Sequence, residues 1–215
     1  MVNYICFDTE TSGLDHTKYN LLTAHFIILN QDLEKIDSLD LKIKHPHYTV
    51  HPKALEINKI DIVSHTKDNQ SLFISDANKL LVEFLNNNKQ HYKFIPIGHN
   101  VNFDIQFIKS SGLLSELDYF KYISHIPLDT LTIAGFLKLS GYLPPTQLLN
   151  LVSLCKYLHI NYPGPANNSA HGAANISAHN AEYDATMTVE LLKVFKKFID
   201  VDKTYLSSNK RKRED

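Results

Sequence analysis

Two acidic residues close to the start of the chain could do chemistry. Residues 2–7 are mostly apolar and rich in strand formers, which predicts a buried strand ending near Asp8. Side chains alternate along a strand, so Asp8 and Glu10 should point the same way. Converging carboxylates repel one another, and a hard divalent cation such as Mg²⁺ or Mn²⁺ relieves that repulsion. The sequence here therefore predicts a metal site, with a turn carrying solvated acids as the alternative.

A second pattern, which ends in an acidic residue, lies near the middle of the chain. The segment Gly98-His99-Asn100-Val101-Asn102-Phe103-Asp104 passes from a predicted strand into a predicted helix. Asp104 falls in the first turn of that helix. Taken alone, it could simply be a charge that favours the helix dipole.

A third pattern, His179-Asn180-Ala181-Glu182-Tyr183-Asp184, opens the last predicted helix. Residues five apart on a helix are offset by about 140° and share a face only loosely. His179 could bend over the site if it lies at or just before the helix start, with Asp184 pointing in from the second turn. A helix start with surface acids is the alternative. His171 competes with His179, but five residues beyond it lies Ile176 rather than an acid.

The elements that must position these residues alternate between strand and helix patterns. Three strands, near 2–8, 21–30 and 33–44, have short links and suggest an antiparallel meander. The remaining strand is predicted over 93–98. Helices are predicted near 53–60, over 71–86, from Phe103 to Gly112, near 129–139, near 146–158 and from His179 onward. Residues 161–178 are predicted to form a long loop. This order predicts an α/β domain with a mixed sheet.

The composition is that of an ordinary globular protein. The 215 residues are 43% hydrophobic and carry a formal net charge of −1, so bulk charge does not indicate nucleic-acid binding. Cys6 and Cys155 are expected to be buried thiols, which favours an intracellular compartment. We expect no signal peptide and no membrane span. We predict one domain over 1–203 and a flexible charged tail over 204–215, whose Lys210–Arg213 run leaves a nuclear as well as a cytoplasmic location open.

The three patterns together resemble the DnaQ-like, or DEDDh, exonuclease family. Asp8-Thr9-Glu10-Thr11-Ser12-Gly13-Leu14 is closest to the first motif of polymerase proofreading subunits, the second pattern matches His-Asn-x-x-Phe-Asp, and the third matches His-x-Ala-x-x-Asp. The resemblance covers nearly all of residues 1–200. It implies an RNase H-like fold with a mixed central sheet, three antiparallel strands followed by parallel ones, flanked by helices. It also implies a 3′–5′ exonuclease that releases nucleoside 5′-monophosphates.

The same resemblance implies the role of each site residue. Two divalent cations, Mg²⁺ or Mn²⁺, would be bound. Asp8, Glu10 and Asp184 would hold the first, and Asp8 would also reach the second. Asp104 would act through water, and His179 would be the general base.

The expected substrate contacts surround these residues. Residues implied to contact the terminal nucleotide or its base are Thr11, Gly13, Leu14, Ile60, His99, Asn100 and Phe103. Ala54–Ile60 resembles a segment that often contains His-Gly-Ile-Thr in the family, but Asn58 and Lys59 depart from His-Gly. Leu128-Asp129-Thr130-Leu131 resembles the family's Asp-Thr-Leu before a helix.

The implied partners are 3′ ends of single-stranded DNA or RNA, with DNA favoured, and DNA proofreading is one expected role. An RNA exonuclease or oligoribonuclease is the main alternative, and a non-catalytic nucleic-acid-binding module is the alternative from another class. A DNA polymerase or a second copy of the chain could be a protein partner.

Overall fold

A computed structural model describes residues 3–89, 91–161 and 180–200. Residues 199 and 200 are described by their backbone alone. The predicted base His179, nearly all of the predicted loop 161–178 and the predicted tail 204–215 lie outside the described residues.

The centre of the molecule is a six-stranded sheet. Its strands in chain order are β1 Tyr4–Thr11, β2 Leu21–Leu29, β3 Lys35–Lys44, β4 Ser71–Phe73, β5 Ile95–Gly98 and β6 Leu128–Asp129. They lie side by side in the order β4-β3-β2-β1-β5-β6. β1, β2 and β3 form the predicted antiparallel meander, while β5 and β6 add in parallel beside β1. The predicted mixed sheet is therefore confirmed, and β4 adds a further parallel pair at the β3 edge.

Eight helices connect and cover these strands within the described part of the chain. They are α1 Pro52–Asn58, α2 Ile62–Lys67, α3 Ile74–Asn88, α4 Val101–Ser110, α5 Glu116–Tyr122, α6 Thr130–Leu139, α7 Leu151–Tyr157 and α8 Ala181–Asp200. In the ranges that the structure describes, no helix has both the length and the apolar character that a membrane span would need.

The alternation of side chains along β1 assigns its two faces to different helices. Ile5 and Phe7 are buried in a core shared with α3 and α4. Cys6, from the opposite face, is buried in a second core shared with α8, and its thiol donates to the carbonyl of Ala185 at 3.4 Å. The helices thus lie on both faces of the sheet, and the even-numbered side chains of β1 face α8.

β1 is longer than the sequence predicts. The strand was expected to end near Asp8, but it continues to Thr11, because its pairing with β2 continues past Asp8 and shifts register only between Glu10 and Thr11. Asp8 and Glu10 are therefore held within a strand rather than at its end, which fixes their spacing more firmly.

Four short elements were not predicted. The range 71–86, expected to be one helix, starts with the three-residue strand β4. The helix α3 follows it and continues through the Asn-rich segment to Asn88. β6 has two residues, and α2 and α5 have six and seven. Elements this short contain too few residues for apolar periodicity to distinguish them from loops.

Candidate active site

Three carboxylates converge where β1 meets the start of α8. One oxygen each from Asp8, Glu10 and Asp184 can be chosen so that all three lie within 4.8 Å of one another. All three side chains are half-buried. The first and third sequence patterns, separated by most of the chain, therefore form one cluster.

The electrostatics of this cluster disfavour its negative charge. Burial raises the pKa of Asp8 well above its usual range, and the neighbouring carboxylates of Asp104, Asp184 and Glu10 raise it further. Burial, then Asp184 and Asp104, raises the pKa of Glu10 to about 8. Three oxygen donors that repel one another in a poorly solvated place suit a hard divalent cation, which would restore all of them to the ionised form. The residues present therefore fit the metal that the sequence implies.

Asp104 joins the site from the opposite side of β1. It is 3% exposed and accepts two hydrogen bonds on Oδ1 from Thr9, from the amide at 2.9 Å and from the hydroxyl at 2.7 Å. Burial raises its pKa to about 7, against the lowering effect of the Thr9 bonds. Asp104 does not belong to the group of three that could share one ion. Its hydrogen bonds instead join it to Thr9, in the strand that carries Asp8 and Glu10.

A tight turn places Asp104 at the start of α4. Asn100 takes a left-handed conformation with φ 64°, which Asn tolerates better than most residues. Its amide donates to Oδ1 of Asp129 at 2.8 Å, and the same oxygen accepts from the amide of Leu131 at 3.1 Å. Asp129 thus begins α6 and holds the turn before α4 at the same time. The Asp-Thr-Leu resemblance marked this segment, and the structure gives it a physical role.

His99 faces the same region. Its Nδ1 lies 2.9 Å from the hydroxyl of Thr130, and burial lowers its pKa. The ring is half-buried rather than open to solvent. Contact of His99 and Asn100 with substrate stays a prediction.

Of the predicted nucleotide-binding residues, Gly13 and Leu14 line a cleft beside β1. Leu14 is 83% exposed, and it lines a cavity of about 380 Å³ together with Tyr19, His51, Ile57 and Lys53. Gly13 is required here because a Cβ at that position would overlap the ring of Tyr19. The hydroxyl of Thr11 donates to the Gly13 carbonyl at 2.7 Å, which holds the loop after β1 in place.

Ile60 and Phe103, also predicted to contact the substrate, are half-buried. Phe103 packs against Phe107 with ring centroids 5.0 Å apart. Neither residue lines the cavity beside Leu14. Their contact with a base stays a prediction.

Two residues near the carboxylates were not assigned a role from the sequence. Thr9 bonds Asp104, and Asn58 donates from its side chain to the carbonyl of Thr11 at 3.0 Å. Thr9 was marked only as part of the first motif, and Asn58 only as a departure from the family pattern. Their partners lie 95 and 47 residues away, so no local pattern could have shown these bonds.

The start of α8 agrees with the third pattern. The side chain of Asn180 accepts from the amide of Glu182 at 3.0 Å, as a helix-capping residue does. Asp184 then falls one turn into the helix, facing β1. His179 immediately precedes Asn180 in the sequence, and its role as base stays a prediction.

The fold has clear relatives among solved structures. No protein-family model matches the sequence, and no curated protein is similar enough to match it. Three similar structures are each 16% identical to this chain. An exonuclease I studied for its processivity has a TM-score of 0.70, and exonuclease I of Methylocaldum szegediense has one of 0.68; each match covers 92% of this chain and 41% of the other. A zinc-bound complex of E. coli exonuclease I with single-stranded DNA has a TM-score of 0.68, and the match covers 97% of this chain and 43% of the other.

These similarities establish the fold. The neighbours are exonuclease I enzymes, and this chain shares their fold; its mixed sheet with flanking helices is the RNase H-like architecture that the sequence predicted. This chain spans 41% to 43% of the length of the three neighbours.

Proposed function

We propose that this protein is a metal-dependent 3′–5′ exonuclease that shortens single-stranded nucleic acid, preferably DNA, and releases nucleoside 5′-monophosphates. The observation that carries the proposal is the convergence of Asp8, Glu10 and Asp184 to within 4.8 Å on this fold. Each belongs to a motif that resembles DnaQ-like exonucleases, and all of them come together although α8 lies far from β1 in the sequence.

Asp8, Glu10 and Asp184 would hold one divalent cation, Mg²⁺ or Mn²⁺, and Asp8 would be shared with a second. Such a cation pair supplies Lewis acidity that stabilises negative charge on the attacking and leaving oxygens of the scissile phosphate. The Thr9–Asp104 bonds fix the position of α4 relative to β1, the strand that bears two of the carboxylates.

His179 is proposed as the general base that takes a proton from the attacking water. A histidine titrates near neutrality, so it can accept that proton at working pH. Its neighbour Asn180 begins the helix that carries Asp184. The proposed base therefore comes, in the sequence, just before the helix that carries a proposed metal ligand.

The cleft beside β1 supports a single-stranded substrate. Exposed Leu14 and Ile57, with Tyr19 and His51, offer apolar and aromatic surface on which bases can stack regardless of sequence. Lys53 lines the same cavity and carries charge that attracts phosphates, whereas Lys18 there is paired with Asp15 at 3.1 Å. Complexes of exonuclease I with single-stranded DNA are consistent with DNA as the preferred substrate here.

The proposal is tested with single strands of DNA and RNA of one sequence, labelled at the 5′ end, with Mg²⁺, with Mn²⁺ and with EDTA. We expect a ladder that shortens from the 3′ end only when metal is present, and faster shortening of DNA. Asp8→Asn and Asp184→Asn should each lower the rate about a hundredfold to a thousandfold, the scale of losing one main electrostatic contribution to catalysis. His179→Ala should also lower the rate strongly.

Glu83→Gln, an exposed glutamate on α3, is the control for loss of a negative charge. Binding without shortening would favour the non-catalytic module, and faster shortening of RNA would favour the oligoribonuclease alternative. Size-exclusion chromatography with light scattering distinguishes a monomer from the proposed homodimer, and the same measurement with an added polymerase tests the other proposed partner.

A further inference from the structure

Asn58, the last residue of α1, connects that helix to the strand that bears two of the carboxylates. Its Nδ2 donates to the carbonyl of Thr11 at 3.0 Å, and Thr11 directly follows Glu10. The side chain is half-buried. This bond joins segments that are 47 residues apart in the sequence.

The other end of the same amide stabilises the turn after α1. Oδ1 of Asn58 accepts from the amide of Ile60 at 3.1 Å. Between them Lys59 takes a left-handed conformation with φ 57°, which brings the chain round sharply. One side chain therefore holds both β1 and the turn that contains Ile60.

Asn58 also lies beside the backbone that carries Glu10, through its bond to Thr11. Its side chain lowers the pKa of Glu10, against the larger raising effect of burial and of the neighbouring carboxylates. Contacts outside the ligand set that position the residue bearing a metal ligand typically contribute about 10–100-fold to metal affinity. A side chain that only shaped the turn would need the acceptor for Ile60 but not the donor toward β1.

We propose that Asn58 is a positioning residue for Glu10, which fixes this carboxylate for cation binding and couples it to the turn that carries Ile60. The inference rests on the metal site of the proposed function. It gives a role to a position where the chain departs from the His-Gly of the resembling segment.

The test compares Asn58→Leu, which keeps the size but removes the amide, with Asp61→Ala. Asp61 ends the same turn and caps α2; its side chain accepts from the amides of Val63 and Ser64, so these bonds reach only the first turn of α2. Both variants should lose thermal stability. Only Asn58→Leu should weaken Mn²⁺ binding, by about tenfold or more, as measured by calorimetry without nucleic acid.

Asn58→Ala gives the same comparison if the leucine variant does not fold. The proposal is overturned if both Asn58 variants that fold bind Mn²⁺ within about twofold of the unaltered protein, or if Asp61→Ala weakens binding equally. Calorimetry tests the role of Asn58, and strand shortening tests the proposed exonuclease. A protein that binds Mn²⁺ but shortens no strand would refute the exonuclease, while Mn²⁺ binding by the Asn58 variants would still decide the role of Asn58. Where strands are shortened, half-saturation by Mn²⁺ should rise in parallel for Asn58→Leu.

Discussion

Glu10 links the chemistry of the site to the stability of the fold. Burial, then the nearby Asp184 and Asp104, raises its pKa to about 8, against 4.5 in an ordinary glutamate. Between these two pH values the folded state retains a proton that the unfolded chain has lost. The free energy of unfolding should therefore fall as pH rises from about 4.5 to about 8.

Glu10→Gln should remove this part of the pH dependence. In EDTA we expect the variant to melt above the unaltered protein at pH 8.5 and close to it at pH 4.5, with each kcal/mol appearing as about 2–4 °C in Tm. Saturating Mg²⁺ should reverse the order at the higher pH, because only the unaltered protein offers the full ligand set. Glu83→Gln on α3 controls for the lost charge. Equal melting of the two proteins at the higher pH in EDTA would contradict the raised pKa.

At the scale of elements, Thr9 and Asp104 join β1 to α4 by hydrogen bonds, beside the apolar core that the two elements share. Both hydrogen bonds of Thr9 end on Oδ1 of Asp104, which is 3% exposed. Thr9→Val keeps the shape and the backbone bond but leaves a buried carboxylate oxygen with one donor fewer. We expect a loss of about 1–3 kcal/mol in the free energy of unfolding, measured by urea denaturation.

A double-mutant cycle with Asp104→Asn separates this bond from other effects of the valine. The two changes should be non-additive by about 0.5 kcal/mol or more, since the second removes the charge that strengthens the bond. Additive losses would mean that Thr9 stabilises the protein in some other way.

The same scale shows how far the sequence predicts this site. Asp8, Glu10 and Asp184 could be chosen as candidate metal ligands because strand alternation and the family motifs are each visible within a few consecutive residues. The long strands β2 and β3 were likewise visible from their apolar patterns. Thr9 and Asn58 could not be assigned their partners, because those bonds join segments brought together only by the fold. The left-handed Lys59 was equally hidden, since lysine has no preference for that conformation.

For the whole molecule, the site joins the first strand to the last described helix. Asp184 is brought to β1 by the packing of α8 against it, where Ala185 and Val189 share a core with Cys6. A cation held by Asp8, Glu10 and Asp184 would therefore bind the folded chain and not the unfolded one. Such binding stabilises the fold by about 2.7 kcal/mol when the free ion is at 100 times its Kd.

Titration with Mg²⁺ should accordingly raise the Tm of the unaltered protein steadily, without any nucleic acid present. Asp184→Asn should abolish most of this rise, because the ligand from α8 is lost while the helix remains. Glu182→Gln is the matched control, an exposed acid in the same helical turn that lies outside the cluster. If Glu182→Gln lost the response as fully as Asp184→Asn, general charge near the start of α8 would explain the binding. A response lost only with Asp184 would instead mean that one cation connects both ends of the domain through the site.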